Sequence, residues 1–453
     1  MKYNVIVIGG GVGGYPAAIQ LARAGYKVAL VEEHLIGGEC TNYGCVPSKA
    51  MYSIAEAINN LRKINADIHF NWKDVVKWTK EVVNSTRENL EYLLENYGVT
   101  IYKGKALFKN DKVIVNNLEL KYDKLVLALG TNPRPLPGID FDEKLVISNR
   151  NVFYLDEKPE SMLIIGGGVI GVELANIFAS MGTQVILVEA LEHILPFLDR
   201  DVAIALKRYL VDKGVVVYEK TTARTIDRQN NGVTVKLSNE KTYSVSNVLV
   251  SIGRVPRTTG VGLRNIDVKT DDKGFIIVNN RYQTSNPRIY AVGDVIGGPL
   301  LAHKAIIESL LVAEEIRGSE INRLDYRLVP VTIFSGLEIS YIGYIEKELQ
   351  SNGIRYQKYK LPISSLPVVK IKDSKYSFVK ILVDRDNPVR VYGIQIVAPR
   401  ASEAIATAIP IILGDYTLRR IAKTPIPHLT IAEILRDLAE YVLGEPIHYL
   451  IKK

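Results

Sequence analysis

The chain has two cysteines, Cys40 and Cys45, and both lie in the segment Gly37-Gly38-Glu39-Cys40-Thr41-Asn42-Tyr43-Gly44-Cys45-Val46-Pro47-Ser48-Lys49. On a regular helix this spacing does not stack two side chains on one face, but an irregular first turn brings the sulfurs together. Pro47 suits the start of a helix. A helix N-terminus lowers a thiol pKa and favours thiolate. The bland alternatives are two buried cysteines or a metal pair. Zinc needs more ligands than this segment offers, so no metal is expected. The pair fits redox exchange best, because both thiols lie beside a nucleotide-binding pattern and no third cysteine competes. The same count excludes a disulfide-stapled secreted scaffold.

That pattern is Gly9-Gly10-Gly11-Val12-Gly13-Gly14, a GxGxxG string. Gly9 allows a tight turn, Gly11 lets the backbone approach a pyrophosphate, and Gly14 lets the helix pack closely on the sheet. The phosphates then sit at a helix N-terminus. Glu32 ends the next strand, where its carboxylate can accept hydrogen bonds from a ribose diol, and Pro16 falls in the first helical turn at little cost. A Gly-rich turn without ligand is the alternative. The design returns at Gly166-Gly167-Gly168-Val169-Ile170-Gly171, with Glu189 ending the following strand. Two dinucleotide sites in one chain point to electron relay between two cofactors. Glu189 suits a free 2′-hydroxyl and repels a 2′-phosphate, which favours NAD over NADP.

The elements that must position these residues are legible around them. Residues 3–8 are an apolar run of the kind that forms a buried parallel strand, 17–26 a helix and 27–32 the next strand. Residues 162–189 repeat strand, helix and strand. Between the copies lies a helical region over about 47–97, then short strands and KLVLALGTNPRPLPG, whose prolines at 133, 135 and 137 mark a domain exit. VLVSIGRVPR at 248–257 repeats that exit. YAVGDVIGG and a helix over 301–316 follow. The last third alternates strands (332–344, 375–384, 391–399) with closing helices (401–413, 429–444), an α+β pattern. The predicted fold is α/β, with two Rossmann-like dinucleotide-binding domains and a C-terminal α+β dimerisation domain. The predicted divisions are 1–145 with 280–325, 146–279, and 326–453.

Composition agrees with a globular protein: 47% hydrophobic, 23% charged, net charge +8. The basic residues are scattered, so no nucleic-acid partner is expected. The N-terminus is a poor signal peptide, and no apolar run reaches the roughly 18 residues of a membrane span. A soluble cytoplasmic protein is expected.

The cysteine segment resembles the redox-active signature of the flavin-dependent pyridine nucleotide–disulfide oxidoreductases, most closely the branch that oxidises dihydrolipoamide. The resemblance covers essentially the whole chain, including ALGTNPRPLPG, GRVP, YAVGDV, LAHKA and a C-terminal His-x4-Glu. It implies FAD at the first glycine string and NAD at the second. It implies that Cys45 contacts the flavin and that Cys40 exchanges with substrate. Asp294 would contact the ribityl–phosphate region, and Ala302 the isoalloxazine. Lys49 would sit near flavin N5 and pair with Glu173. Ala106, Gly130 and Gly253 join the cofactor-contacting set. Read alone, Asp294 is equally a turn former and Glu173 an ordinary helix-surface carboxylate.

A lone histidine is more often structural than catalytic. The match of Pro427-His428-Leu429-Thr430-Ile431-Ala432-Glu433 to the family's closing motif implies that His428 is the base and Glu433 its orienting carboxylate. In the family this pair comes from the partner subunit, so a homodimer is expected. Two positions differ. Leu429 stands where proline is usual, and a cis peptide there is costly without proline. Ile426 stands where a second histidine is common.

The expected reaction is oxidation of a small dithiol, or of a lipoyl-bearing carrier domain, with NAD reduced. The rival is an NAD(P)H-dependent disulfide reductase acting on glutathione, coenzyme A or a related disulfide. The chain ends YLIKK without a cysteine pair, so mercury is not the expected substrate. A non-enzymatic redox-sensing flavoprotein is disfavoured by the intact Cys40, Cys45, Lys49 and Glu433.

Overall fold

The structure is a computed structural model and describes residues 1–109, 111–372, 374–388 and 390–450. The chain forms two compact units. The first takes in Met1–Ile54, His69–Lys158 and Ile252–Tyr326; the second takes in Ala55–Ile68, Pro159–Ser251 and the chain from Arg327 onward.

The first unit is built on parallel strands in the order Thr100–Lys103, Val28–Glu32, Lys2–Ile8, Leu118–Leu127. Leu118–Leu127 is long enough to serve two neighbours. Its first half pairs antiparallel with Lys112–Val115, and its end pairs parallel with Ile289–Ala291. Val28–Glu32 is buried at every residue, as expected of a strand covered on both faces. Helix α1 (Tyr15–Arg23) follows the first glycine string, with Pro16 in its first turn. The helical region predicted over 47–97 is three elements: α2 (Gly38–Tyr43), α3 (Cys45–Arg62) and α4 (Trp72–Asn96). Asn71 caps α4 by accepting from the Lys73 N–H.

In the second unit the repeat has parallel strands in the order Val216–Tyr218, Gln184–Val188, Ser161–Ile165, Asn247–Val250. Helix α5 (Val169–Ser180) follows the second glycine string, and α6 (Arg200–Asp212) lies further on. An antiparallel ribbon over Ala223–Gln229, Gly232–Leu237 and Thr242–Val245 is not among the predicted elements; its first strand, ARTIDRQ, is polar and mostly exposed. In the C-terminal part, the antiparallel sheet runs in the order Val331–Ile333, Ile339–Gly343, Val391–Val397, Phe378–Asp384, Tyr356–Pro362. Its last strand reads YQKYKLP, too basic to announce itself.

The predicted helix 401–413 is broken into Ala401–Ala404, a 3-10 turn Ile405–Ala408 and Ile409–Leu413, with Pro410 restarting the last piece. The predicted helix 429–444 begins only at Glu433. One face of the sheet packs Ile381, Ile394 and Ile396 against Ile434 and Leu438. The other face carries the fully buried Lys380, whose Nζ lies 2.8 Å from Asp199, 3.0 Å from Asp201 and 2.9 Å from Glu346. Burial alone would lower the Lys380 pKa; the three carboxylates outweigh it and raise it. No helix among the described residues is long and apolar enough to cross a membrane.

Candidate active site

Each glycine string makes the same turn. Gly9 and Gly166 have φ of 102° and 107°. A Cβ on Gly14 or Gly171 would stand 1.9 Å from the carbonyl oxygen of Gly9 or Gly166, so only glycine lets the following helix approach its strand. The carboxylates that end the next strands hold the turns. Glu32 accepts from the N–H of Gly10 at 2.6 Å and of His34 at 2.8 Å; Glu189 accepts from Gly167 at 2.7 Å and Leu191 at 2.8 Å. Both carboxylates are buried. This bracing role is additional to the ribose contact read from sequence. Each turn, with its positive-φ glycine and glycine-only helix approach, fits a dinucleotide pyrophosphate.

Beyond the first turn the chain returns to it: Gly37 N–H donates to Gly10 O at 2.8 Å, and Gly11 and Gly37 form a parallel bridge. The backbone then enters α2, which carries Cys40. Gly44 ends that short helix, and Cys45 is the first residue of α3. The break between α2 and α3 is the irregularity that brings the sulfurs within hydrogen-bonding reach. Both cysteines are free thiols; Cys45 is exposed and Cys40 half-buried. The Cys40 thiol is held well above its ordinary range, first by the hydrogen bond to Cys45, then by burial and the Cys45 charge; Lys49 opposes this weakly. The pair thus favours keeping its shared proton on Cys40, and Cys45 stands at the start of α3, where a helix N-terminus favours thiolate.

A polar network that sequence reasoning missed surrounds α2. Arg150 clamps the Glu39 carboxylate, with Nη2 2.9 Å from Oε2 and Nε 3.2 Å from Oε1. Asn149 donates to Glu39 at 3.1 Å and to the Tyr43 carbonyl at 3.0 Å. Arg254 adds an ion pair to Glu39 at 3.4 Å. Burial would raise the Glu39 carboxyl, but Arg150 and Arg254 outweigh it and hold it below the usual range. The available signal was the Arg of GRVP, a motif quoted above without a role.

Gly130 and Gly253, both at positive φ, open the two exit segments, and these pair antiparallel as Thr131–Pro133 and Arg254–Pro256. Asp294 lies in a short 3-10 turn, Gly293–Ile296, and accepts from Thr131 Oγ1 at 3.1 Å. Burial raises the Asp294 carboxyl above its usual range, against the pull of Arg254 and Lys304. Lys304, fully buried, donates to the carbonyls of Gly293 and Gly297 at 3.1 and 2.8 Å and pairs with Glu308 at 3.1 Å, so the Asp294 turn is fixed from behind. Ala302 is the first residue of α7 (Ala302–Ile316). Ala106 is buried in the core of this unit. Lys49 lies on α3, one turn after Cys45. In the second unit, Glu173 is buried on α5 and accepts from the Phe334 N–H at 2.9 Å, so it is not the surface carboxylate that the bare sequence allows.

His428 and Glu433 meet in the structure. Nδ1 of His428 lies 3.0 Å from Glu433 Oε1, and the Thr430 N–H donates to Oε2 at 3.0 Å. The His428 side chain is 73% exposed and that of Glu433 12%. Burial would raise the Glu433 carboxyl; the hydrogen bonds from His428 and Thr430 outweigh it and lower it. The tautomer that donates from Nδ1 leaves Nε2 as a proton acceptor. The peptide bond between His428 and Leu429 is cis, despite the leucine.

Residues 3–309 match the family described as pyridine nucleotide-disulphide oxidoreductase, and residues 329–439 match its dimerisation domain. The chain is 34% identical over 466 aligned positions to a dihydrolipoyl dehydrogenase of Geobacillus stearothermophilus, covering 100% of this chain and 98% of the relative. It is 35% identical over 459 positions to the dihydrolipoyl dehydrogenase of Thermus scotoductus, covering 99% of each. Among solved structures, LpdA of Mycobacterium tuberculosis is similar with a TM-score of 0.89 at 25% identity, covering 97% of this chain and 99% of that one. The HOCl-induced flavoprotein disulfide reductase RclA of Escherichia coli is similar with a TM-score of 0.88 at 27% identity, covering 97% and 99%.

Proposed function

The chain belongs to the pyridine nucleotide-disulphide oxidoreductase family, and on that premise we propose that it oxidises dihydrolipoamide, or a similar dithiol, to the disulfide and reduces NAD. The observation that carries the reading is the sulfur pair: the break between α2 and α3 brings Cys40 and Cys45 within hydrogen-bonding reach, directly after the loop that closes the first glycine turn.

In the oxidised protein Cys40 and Cys45 form a disulfide. His428 Nε2 takes a proton from one substrate thiol, and the resulting thiolate attacks Cys40. This forms a mixed disulfide and releases Cys45 as thiolate. The second substrate sulfur then displaces Cys40, which leaves protonated, and the substrate departs as its cyclic disulfide. Glu433, bonded to Nδ1, holds the imidazole and leaves Nε2 free to act. FAD, which the Gly9–Gly14 turn with Glu32 would hold, would supply the electron relay between the sulfurs and the nicotinamide. Overall, dithiol and NAD⁺ yield disulfide, NADH and one proton. Two copies assemble through the dimerisation domain, and His428 and Glu433 of one serve the cysteines of the other.

The likeness to a flavoprotein disulfide reductase favours a second reading, the same machinery run from NAD(P)H towards a disulfide. Steady-state assays of NAD and NADP reduction against a panel of dithiols, and of NAD(P)H oxidation with glutathione and coenzyme A disulfides, separate the two. The expected result is NAD reduction with dihydrolipoamide at least roughly tenfold faster than any disulfide-driven turnover, since specificity ratios of this size follow from about 1.4 kcal/mol. Faster turnover with a disulfide would replace the first reading by the second.

A further inference from the structure

The two halves of the candidate site in the first unit, the cysteine helix and the Asp294 turn, belong to segments more than 250 residues apart in sequence. One side chain reaches both. Arg254 Nη2 forms the 3.4 Å ion pair with Glu39, the residue before Cys40. Its Nε donates to Thr131 Oγ1 at 2.6 Å, and Nη2 donates to the Thr131 carbonyl at 2.9 Å. The Thr131 hydroxyl in turn donates a hydrogen bond to Asp294 at 3.1 Å. Nη1 donates to Asn149 Oδ1 at 3.3 Å, and Asn149 in turn holds Glu39 and the Tyr43 carbonyl at the end of α2. The Arg254 side chain is only 10% exposed, and its backbone is fixed by pairing with Pro133. A planar, five-donor fork is suited to spanning several acceptors at once; a lysine ammonium is not.

We propose that Arg254 is a positioning residue that ties the Cys40 helix to the Asp294 turn, so that the sulfur pair and the cofactor seat keep one geometry. Arg150 differs from it in reach: it clamps Glu39 and contacts Asn132, but among the described residues it makes no hydrogen bond to Thr131 or Asp294. The inference rests on the proposed function in assuming that FAD occupies the first turn.

The test uses the purified full-length holoprotein, with Arg254→Ala, Arg254→Lys and Arg150→Ala beside the parent. Two rates are read: alkylation of Cys40 by iodoacetamide in the reduced protein, located by mass spectrometry, and release of FAD on dilution, followed by flavin fluorescence. Losing charge-assisted hydrogen bonds on both sides should shift each rate by roughly tenfold in Arg254→Ala. Arg254→Lys should move both by less, and Arg150→Ala should move the Cys40 rate while FAD release stays within about twofold of the parent. Should Arg254→Ala fail to fold, Arg254→Lys and Arg150→Ala carry the comparison. An Arg254 variant that changes only one rate, or neither, overturns the proposal. A parent that shows no thiolate-to-flavin absorption on anaerobic reduction overturns the functional reading instead; the Cys40 alkylation rates would still report on the tie.

Discussion

The two glycine turns are near copies of each other, and the difference lies in what each has built upon it. Gly10 and Gly167 each donate to the carboxylate 22 residues ahead. Ile36 and Ile194 occupy the same place, 2.8 Å from a Cβ that Gly10 or Gly167 would carry. The returning loops make the same bond, Gly37 to Gly10 O and Leu195 to Gly167 O, both at 2.8 Å. There the copies part. After Gly37 the chain packs Gly38 backbone-to-backbone on Gly11 and enters α2 with Cys40; after Leu195 it turns through Pro196 towards Asp199 and the buried Lys380. A Cβ on Gly168 would meet nothing within 4 Å. The first turn is covered and carries reactive sulfur; the second is open. On the proposed function, one phosphate-binding turn would serve a resident cofactor in the first place and an exchanging one in the second.

The largest expected effect comes from removing what only the first turn carries. Cys45→Ser should lower dithiol-driven NAD reduction by about 10³-fold or more, because loss of a nucleophile removes a step rather than a contact. NADH oxidation by ferricyanide, which needs the second turn and the flavin but no sulfur, should persist. A variant retaining dithiol turnover would show that the sulfurs are not the route.

Next comes a matched pair. Gly14→Ala and Gly171→Ala create the same 1.9 Å clash with a backbone oxygen. Overpacking of this kind costs roughly 1–3 kcal/mol, or about five- to 150-fold in binding. Gly14→Ala should yield protein depleted of FAD, whereas Gly171→Ala should keep its FAD and raise the KM for NAD. Absorbance of the purified variants and NAD titrations decide; FAD loss from Gly171→Ala and not from Gly14→Ala would exchange the two assignments.

A third effect concerns pH at the first turn. Because the folded protein raises the Cys40 pKa, this thiol stays protonated as pH climbs through the usual thiol range near about 8.5. Its alkylation at pH 9 should be at least roughly tenfold slower than that of a small free thiol, with Cys45 labelled first. Replacing Cys45 by serine removes the hydrogen bond and charge that hold the proton, so the lag should shorten. Equal labelling of both thiols at neutral pH would contradict the assignment of the proton.

Much of this was legible in the sequence where chemistry and local backbone coincide. A glycine string between an apolar strand and a helix fixes a turn within a few residues, and two cysteines beside it have few other uses. The pairing of His428 with Glu433 was what the resemblance of the closing motif implied. What escaped reading was set by distant partners. Glu39 gained its importance only when Arg150 and Arg254 converged on it, and Glu173 became buried only when its helix packed and Phe334 met it. Lys380 is a charged residue inside the apolar run of the strand Phe378–Asp384, and its burial is accommodated only because Asp199, Asp201 and Glu346 from other elements meet its ammonium. Polar residues carry no period of their own, so their burial is a property of the assembled fold.

The smallest effects test the covering itself. Gly38→Ala would place a Cβ 2.7 Å from the Gly11 Cα at a φ of 58°, where side chains are disfavoured. Gly168→Ala, at the position equivalent to Gly11, meets open space at an ordinary φ of −74°. If the loop closes the first turn over a resident cofactor, Gly38→Ala should speed FAD release by roughly fivefold, the equivalent of about 1 kcal/mol. The same change should slow recapture of added FAD little, because the turn beneath is intact. Gly168→Ala should leave NAD affinity within about twofold unless the dinucleotide backbone needs the space of the missing methyl, in which case the KM for NAD rises while FAD stays put. Either result for Gly168 measures how closely the pyrophosphate approaches. An unchanged FAD release rate in Gly38→Ala would mean that the two turns are equally open and that residence is decided elsewhere on the cofactor.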